Sequence, residues 1–109
     1  MNNKVIALVS LMLMLGDAAA QSVNIRGARS CGEWTQQRNK AGWEALATEA
    51  WIAGYLSGLA FQSGKSFLKG TDNPSLFLWI DNYCRTNPLD DVADASNELA
   101  AELIRKKRL

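Results

Sequence analysis

Histidine is absent from this chain. Without an imidazole, Ser-His-Asp triads, Cys-His dyads and every His-containing metal site are excluded. Cysteine is scarce, and 2 thiols are too few for a zinc site built from thiolates. No sign of charge dominates: 12 Lys plus Arg against 11 Asp plus Glu leave a net charge of +1. That balance predicts neither a nucleic-acid binder nor a polyanion sponge. Strict apolar–polar alternation is missing and β-branched runs are few, so nothing points to a sheet. What the chain has is apolar residues, 48% of 109, too many for a disordered polymer and enough for one small domain.

Lys4 is the only charge before an apolar run from Val5 to Leu15, and Gly16-Asp17 breaks the run ahead of Ala18-Ala19-Ala20. A basic start, a short apolar stretch and an Ala-x-Ala exit read as a secretory signal peptide, residues 1–20, cleaved after Ala20. The run is too short for a stable bilayer anchor. Residues 21–29 then form a flexible mature N-terminus and 30–109 a single helical domain. Lys4 and Asp17 leave together, so the mature chain keeps the +1 balance. It is expected in the periplasm, with no stable membrane insertion after cleavage.

The address agrees with the cysteines. Cys31 and Cys84 both lie in the mature part, and an isolated pair in an oxidising compartment reads as one disulfide. The ring it closes, about 54 residues counting both ends, stabilises by about 4 kcal/mol in the loop-entropy account. No Cys-x-x-Cys is present to make the pair a redox centre.

Four helical segments follow. The first spans roughly 30–41, with Ser30 and Glu33 at capping-box spacing and Cys31 and Trp34 on one face. The second spans about 43–63. It carries no charge from Ala50 to Phe61, which predicts burial nearly all round. Gly54 and Gly58 each cost roughly 1 kcal/mol of helix propensity, and close approach of another helix at the small face of Ala50, Gly54, Ser57 and Gly58 would offset it. Trp51, Tyr55 and Trp79 are expected to pack with them. Asn73 with Pro74, and Asn87 with Pro88, predict the starts of the third and fourth segments. The fourth runs from 88 to about 107, with Leu89, Val92, Ser96, Leu99 and Leu103 as its seam and Asp90, Asp91 and Asp94 at its positive end. The expected fold is all-α, a compact bundle of about four helices with one disulfide, after an N-terminal signal peptide.

Catalytic motifs are wanting. Residues 58–66, GLAFQSGKS, miss the nucleotide-binding loop: five residues separate the glycines instead of four, and no strand precedes them. Glu33, Glu44, Glu49, Asp72 and Asp81 show no spacing that selects a hydrolase pair. The basic run 105–108 reads as a solvated helix end. No enzyme, no metal and no cofactor are expected. The longest break between helices, 64–73, holds Lys65, Phe67, Leu68 and Lys69 where a plain linker would be more polar, and these are the candidate partner contacts; the alternative for Phe67 and Leu68 is that they fold back onto the core.

Cys31 with Trp34, the block Trp51-Ile52-Ala53-Gly54-Tyr55-Leu56-Ser57-Gly58, and Tyr83-Cys84-x-x-Asn87-Pro88 leading into a Leu/Ala-rich helix together carry a resemblance. Across most of 30–105 the chain resembles two kinds of small exported helical protein. One is the Tai-like immunity type, which neutralises peptidoglycan amidases delivered by type VI secretion. The other is the HdeA-like acid-stress chaperone. The Gly-Tyr-x-x-Gly block and the Asn-Pro start look more like the immunity type. The resemblance implies a periplasmic non-enzymatic binding protein whose partner is a cell-wall amidase toxin. The alternative it implies is a chaperone of unfolded clients, switched by carboxylates because no His is present. A homodimer is left open.

Overall fold

The computed structural model describes residues 23–109, and the expected signal peptide at 1–20 lies outside them. Four helices follow one another: α1 (Cys31–Lys40), α2 (Trp43–Ser63), α3 (Asn73–Thr86) and α4 (Val92–Lys107), with no strand among the described residues. The all-α bundle with a Cys31–Cys84 disulfide is thus the observed fold. Helix α1 packs on α2 and α3, and α4 packs on the same two helices.

Local chemistry sets the helix ends. Ser30 Oγ accepts from the Glu33 N–H at 3.1 Å and the Ser30 N–H donates back to Glu33 at 3.0 Å, so the expected capping box is present. A second box joins Asp91 and Asp94 at the head of α4. The two heads lie side by side, because Val92 N–H donates to Arg29 O and Cys31 N–H to Asp90 O, each at 2.9 Å. Gly64 ends α2 in the left-handed region, φ 68°.

Two helix starts differ from expectation. The cap of α3 is Asp72, whose carboxylate accepts from the Ser75 N–H at 2.8 Å, so Asn73 and Pro74 stand inside the first turn. Asn87 caps no helix start; its backbone N–H and its Nδ2 both donate to Tyr83 O, closing the end of α3. With Asn87 spent there, Pro88 and Leu89 form a turn and α4 begins at Val92. Leu89 is 98% exposed and takes no part in the seam, which Val92, Ala95, Ser96, Leu99 and Leu103 make.

The core gathers Trp34, Ile52, Leu56, Phe67, Ile80, Val92 and Leu99 around the buried disulfide. Trp34 lies 6.1 Å from Phe77, ring centre to ring centre. Ser96 is fully buried and donates to Val92 O at 2.6 Å, which satisfies its hydroxyl.

Helix α2 is not buried all round. Only Ala45, Thr48, Ile52 and Leu56 are buried, a single stripe facing the core. The small face points the other way: a Cβ placed on Gly54 or Gly58 would meet nothing within 4 Å. These glycines therefore do not pack a helix. An uncharged helix does not itself specify its inward side. The side with volume, Ile52 and Leu56, fills the space between helices, and the side of alanine and glycine has nothing to fill it with. Trp51 and Trp79 are half-buried against the core, and Tyr55 stacks on Trp51 at 5.0 Å.

Candidate functional site

The segment expected to contact a partner is built into the domain. Phe67 is fully buried, Leu68 is half-buried, and both are packed with the core. Lys107, at the end of α4, donates from Nζ to Phe67 O at 2.6 Å, Lys69 O at 2.7 Å and Thr71 Oγ1 at 2.9 Å. One ammonium thus uses its three donors to hold the loop. Lys65 and Lys69 remain exposed, with Lys65 Nζ 3.4 Å from Leu109 O. Phe67 and Leu68 are corrected from contact residues to core and core-edge residues. A Phe among lysines in a long loop reports burial, since leaving it in water would forfeit some 1.5–3 kcal/mol.

A polar hub joins three helices. Asp81 of α3 accepts from Trp34 Nε1 at 2.8 Å and from Arg38 Nε and Nη2 at 3.0 and 2.9 Å. Arg38 also donates from Nη1 to Glu49 at 2.9 Å and lies 5.1 Å over the Trp34 ring. Hydrogen bonding to Asp81, against a smaller desolvation cost, raises the Arg38 pKa above its ordinary value. Glu49 and Asp81, weighed above as hydrolase carboxylates, are engaged in this brace. Elsewhere Tyr83 donates to Asp90 at 2.5 Å, which pushes the phenol up to about 12. The hydrogen bond from Ser75 holds the Asp72 carboxyl below its usual range.

What remains unengaged is the outer side of α2. Trp43 is 75% exposed, Leu46 66% and Phe61 88%. Ala50, Gly54, Ser57 and Gly58 lie between them and are exposed too. From Trp43 to Phe61 this side runs about 27 Å at the helical rise. Its aromatic ends were readable in the sequence only as core candidates, because composition does not tell an inward apolar residue from an outward one. The segment ahead of α1, residues 24–29, runs beside this side of α2. It is anchored where Trp51 Nε1 donates to Arg26 O at 3.1 Å and where Arg29 O accepts from Val92.

No helix among the described residues is long and apolar enough to cross a membrane. Fold and surface together define a disulfide-braced helical module with one apolar helix side left uncovered. Compared with protein-family models, with curated proteins and with solved structures, the chain matches none.

Proposed function

We propose that the protein is a periplasmic, non-enzymatic binding protein that seats a protein partner on the outer side of α2. The observation that carries this is the row Trp43, Leu46 and Phe61, large apolar side chains standing in water on one helix side. Large exposed apolar rows mark interaction sites, and aromatic residues dominate binding energy at interfaces. The partner surface is apolar and uncharged, because a charge buried against the stretch from Ala50 to Ser63 would find no counter-charge there. A membrane fits this side less well. Helices that lie on anionic lipid carry Lys and Arg, whereas α2 carries only Glu44 and Glu49. The resemblance to Tai-like immunity proteins supplies the expected partner, a cell-wall amidase.

One observation favours the second reading, an acid-switched chaperone. The braces of the fold are carboxylates: Glu33, Asp72, Asp91 and Asp94 at helix heads, and Asp81 and Glu49 at the hub. Losing the bonds these carboxylates accept would loosen helix heads and hub together, and the Asp72 carboxyl, held below its usual range by Ser75, is the one whose cap acid removes.

The test is a pull-down from periplasmic extract with disulfide-bonded wild type, Phe61→Asp and Lys65→Ala/Lys69→Ala, each checked for folding. A one-to-one partner, identified by mass, that Phe61→Asp loses and the lysine variant keeps supports the outer side of α2. Retention by Phe61→Asp opposes it. Client capture at acidic pH alone would favour the chaperone.

A further inference from the structure

We propose that the groove between α1 and the first half of α2 binds a short saccharide, a ligand beyond the protein partner proposed above. The groove has a volume of about 440 Å³, inside the range of small-ligand sites. Trp43 and Trp51 line its α2 side, with Ala47 between them. Eight residues separate the indoles, about 12 Å along the helix. That span is longer than one sugar ring and matches an oligosaccharide.

The second indole is preset. Trp51 is held by its hydrogen bond to Arg26 O, by stacking on Tyr55, and by the close backbone of Gly27. Gly27 has φ +83°, and a Cβ there would lie 2.9 Å from Trp51 Nε1, so only glycine lets the arm close this end. An aromatic surface fixed before binding loses little entropy when a ligand arrives.

The α1 wall supplies Gln36 and Gln37. Gln37 Oε1 accepts from the Thr48 hydroxyl at 2.6 Å, which leaves its amide NH₂ as a donor. Lys40 and Glu44 line the far end, and neither takes part in an ion pair among the described residues. Arg29 and Lys40 are matched by Glu33 and Glu44, so the lining field favours neither an anion nor a cation. A neutral ligand with an apolar face and hydroxyls that both donate and accept uses every one of these groups. A pyranose has that chemistry: its C–H face stacks on indole and its hydroxyls meet amide, ammonium and carboxylate. A nucleotide would bring unmatched phosphate charge. An extended peptide docked on the two indoles is the competing ligand, and the tripeptide arm of the test separates it.

The mature disulfide-bonded protein is titrated with chitotetraose, cellotetraose and an uncharged tripeptide, followed by calorimetry and tryptophan fluorescence. One-to-one binding of at least one tetrasaccharide is expected. Trp43→Ala should weaken it by about ten-fold or more and Gln36→Ala by a few-fold. Phe61→Ala, on the outer side of α2, should leave it unchanged. Trp43 is 75% exposed, so its variant should fold, and an unchanged unfolding midpoint checks that. No binding of either tetrasaccharide at millimolar concentration, equal binding by Trp43→Ala, or binding of the tripeptide alone would overturn the proposal. Trp43 borders both surfaces, so the protein-partner reading is tested apart from these outcomes at Phe61, which lies outside the groove, by Phe61→Asp.

Discussion

Asp81→Ala should be among the most destabilising single changes of a partly exposed residue in this protein. Trp34 has 0% exposure, and its Nε1–H has one acceptor, Asp81, at 2.8 Å. Removing the carboxylate leaves that donor buried and unpaired, at about 1–3 kcal/mol. The Arg38–Asp81 pair adds less, because the two side chains are 32% and 31% exposed. Solvent screening at that exposure limits such a pair to roughly 0.5–1 kcal/mol. The sum is about 1.5–4 kcal/mol, a fall in Tm of roughly 6–30 °C for a domain of this size. Asp81→Asn keeps an oxygen for Trp34 and should cost only about 1 kcal/mol. Urea denaturation with the disulfide intact measures all three proteins. The decisive comparison is the Trp34→Phe background. There no donor is orphaned, so Asp81→Ala should cost only the ion-pair share. An equal cost of Asp81→Ala in both backgrounds would refute the reasoning.

Other outcomes follow from the same geometry. Gly54→Ala and Gly58→Ala should each stabilise by about 0.5–1 kcal/mol, since the new methyl meets open space and only helix propensity changes; thermal melts check this. Protein purified without reductant should gain two daltons on reduction, and Cys31→Ser or Cys84→Ser should cost a few kcal/mol, about 4 by loop entropy. Tyr83 has a folded pKa above its unfolded value of 10.0, so its stabilisation is full below pH 10 and is lost as pH rises through about 12. Ultraviolet titration should show this late tyrosinate step in wild type and not in Tyr83→Phe. Asp72 runs the other way: its lowered pKa contributes stability above its ordinary 3.8 that is lost as pH falls through the folded value. Asp72→Asn keeps the cap, and its urea midpoint should fall less steeply in that acid range.

The elements were legible because their causes are local. Ser30 with Glu33 starts α1, Gly64 stops α2, and two cysteines with no third leave one disulfide pairing to form. The helix starts at Asp72 and Asp91 were misplaced for a reason of competition. Asn-Pro is a cap signal at both sites, yet a neighbouring carboxylate wins at the first, and at the second Asn87 is used by the helix before it.

Which side of each helix faces inward was decided only by the tertiary structure. Residues 50–61 of α2 carry no charge, so the sequence by itself determined a helix there but not its rotation about its own axis. That rotation depends on what α1, α4 and the loop at Phe67 offer to fill. Ile52 and Leu56 supply volume to that space, while Gly54 and Gly58 supply none. The Asp81 hub and the Lys107 clasp likewise join residues up to 47 and up to 40 positions apart. No periodicity encodes such pairs, because they are meetings of side chains from separate helices and exist only once the helices have packed.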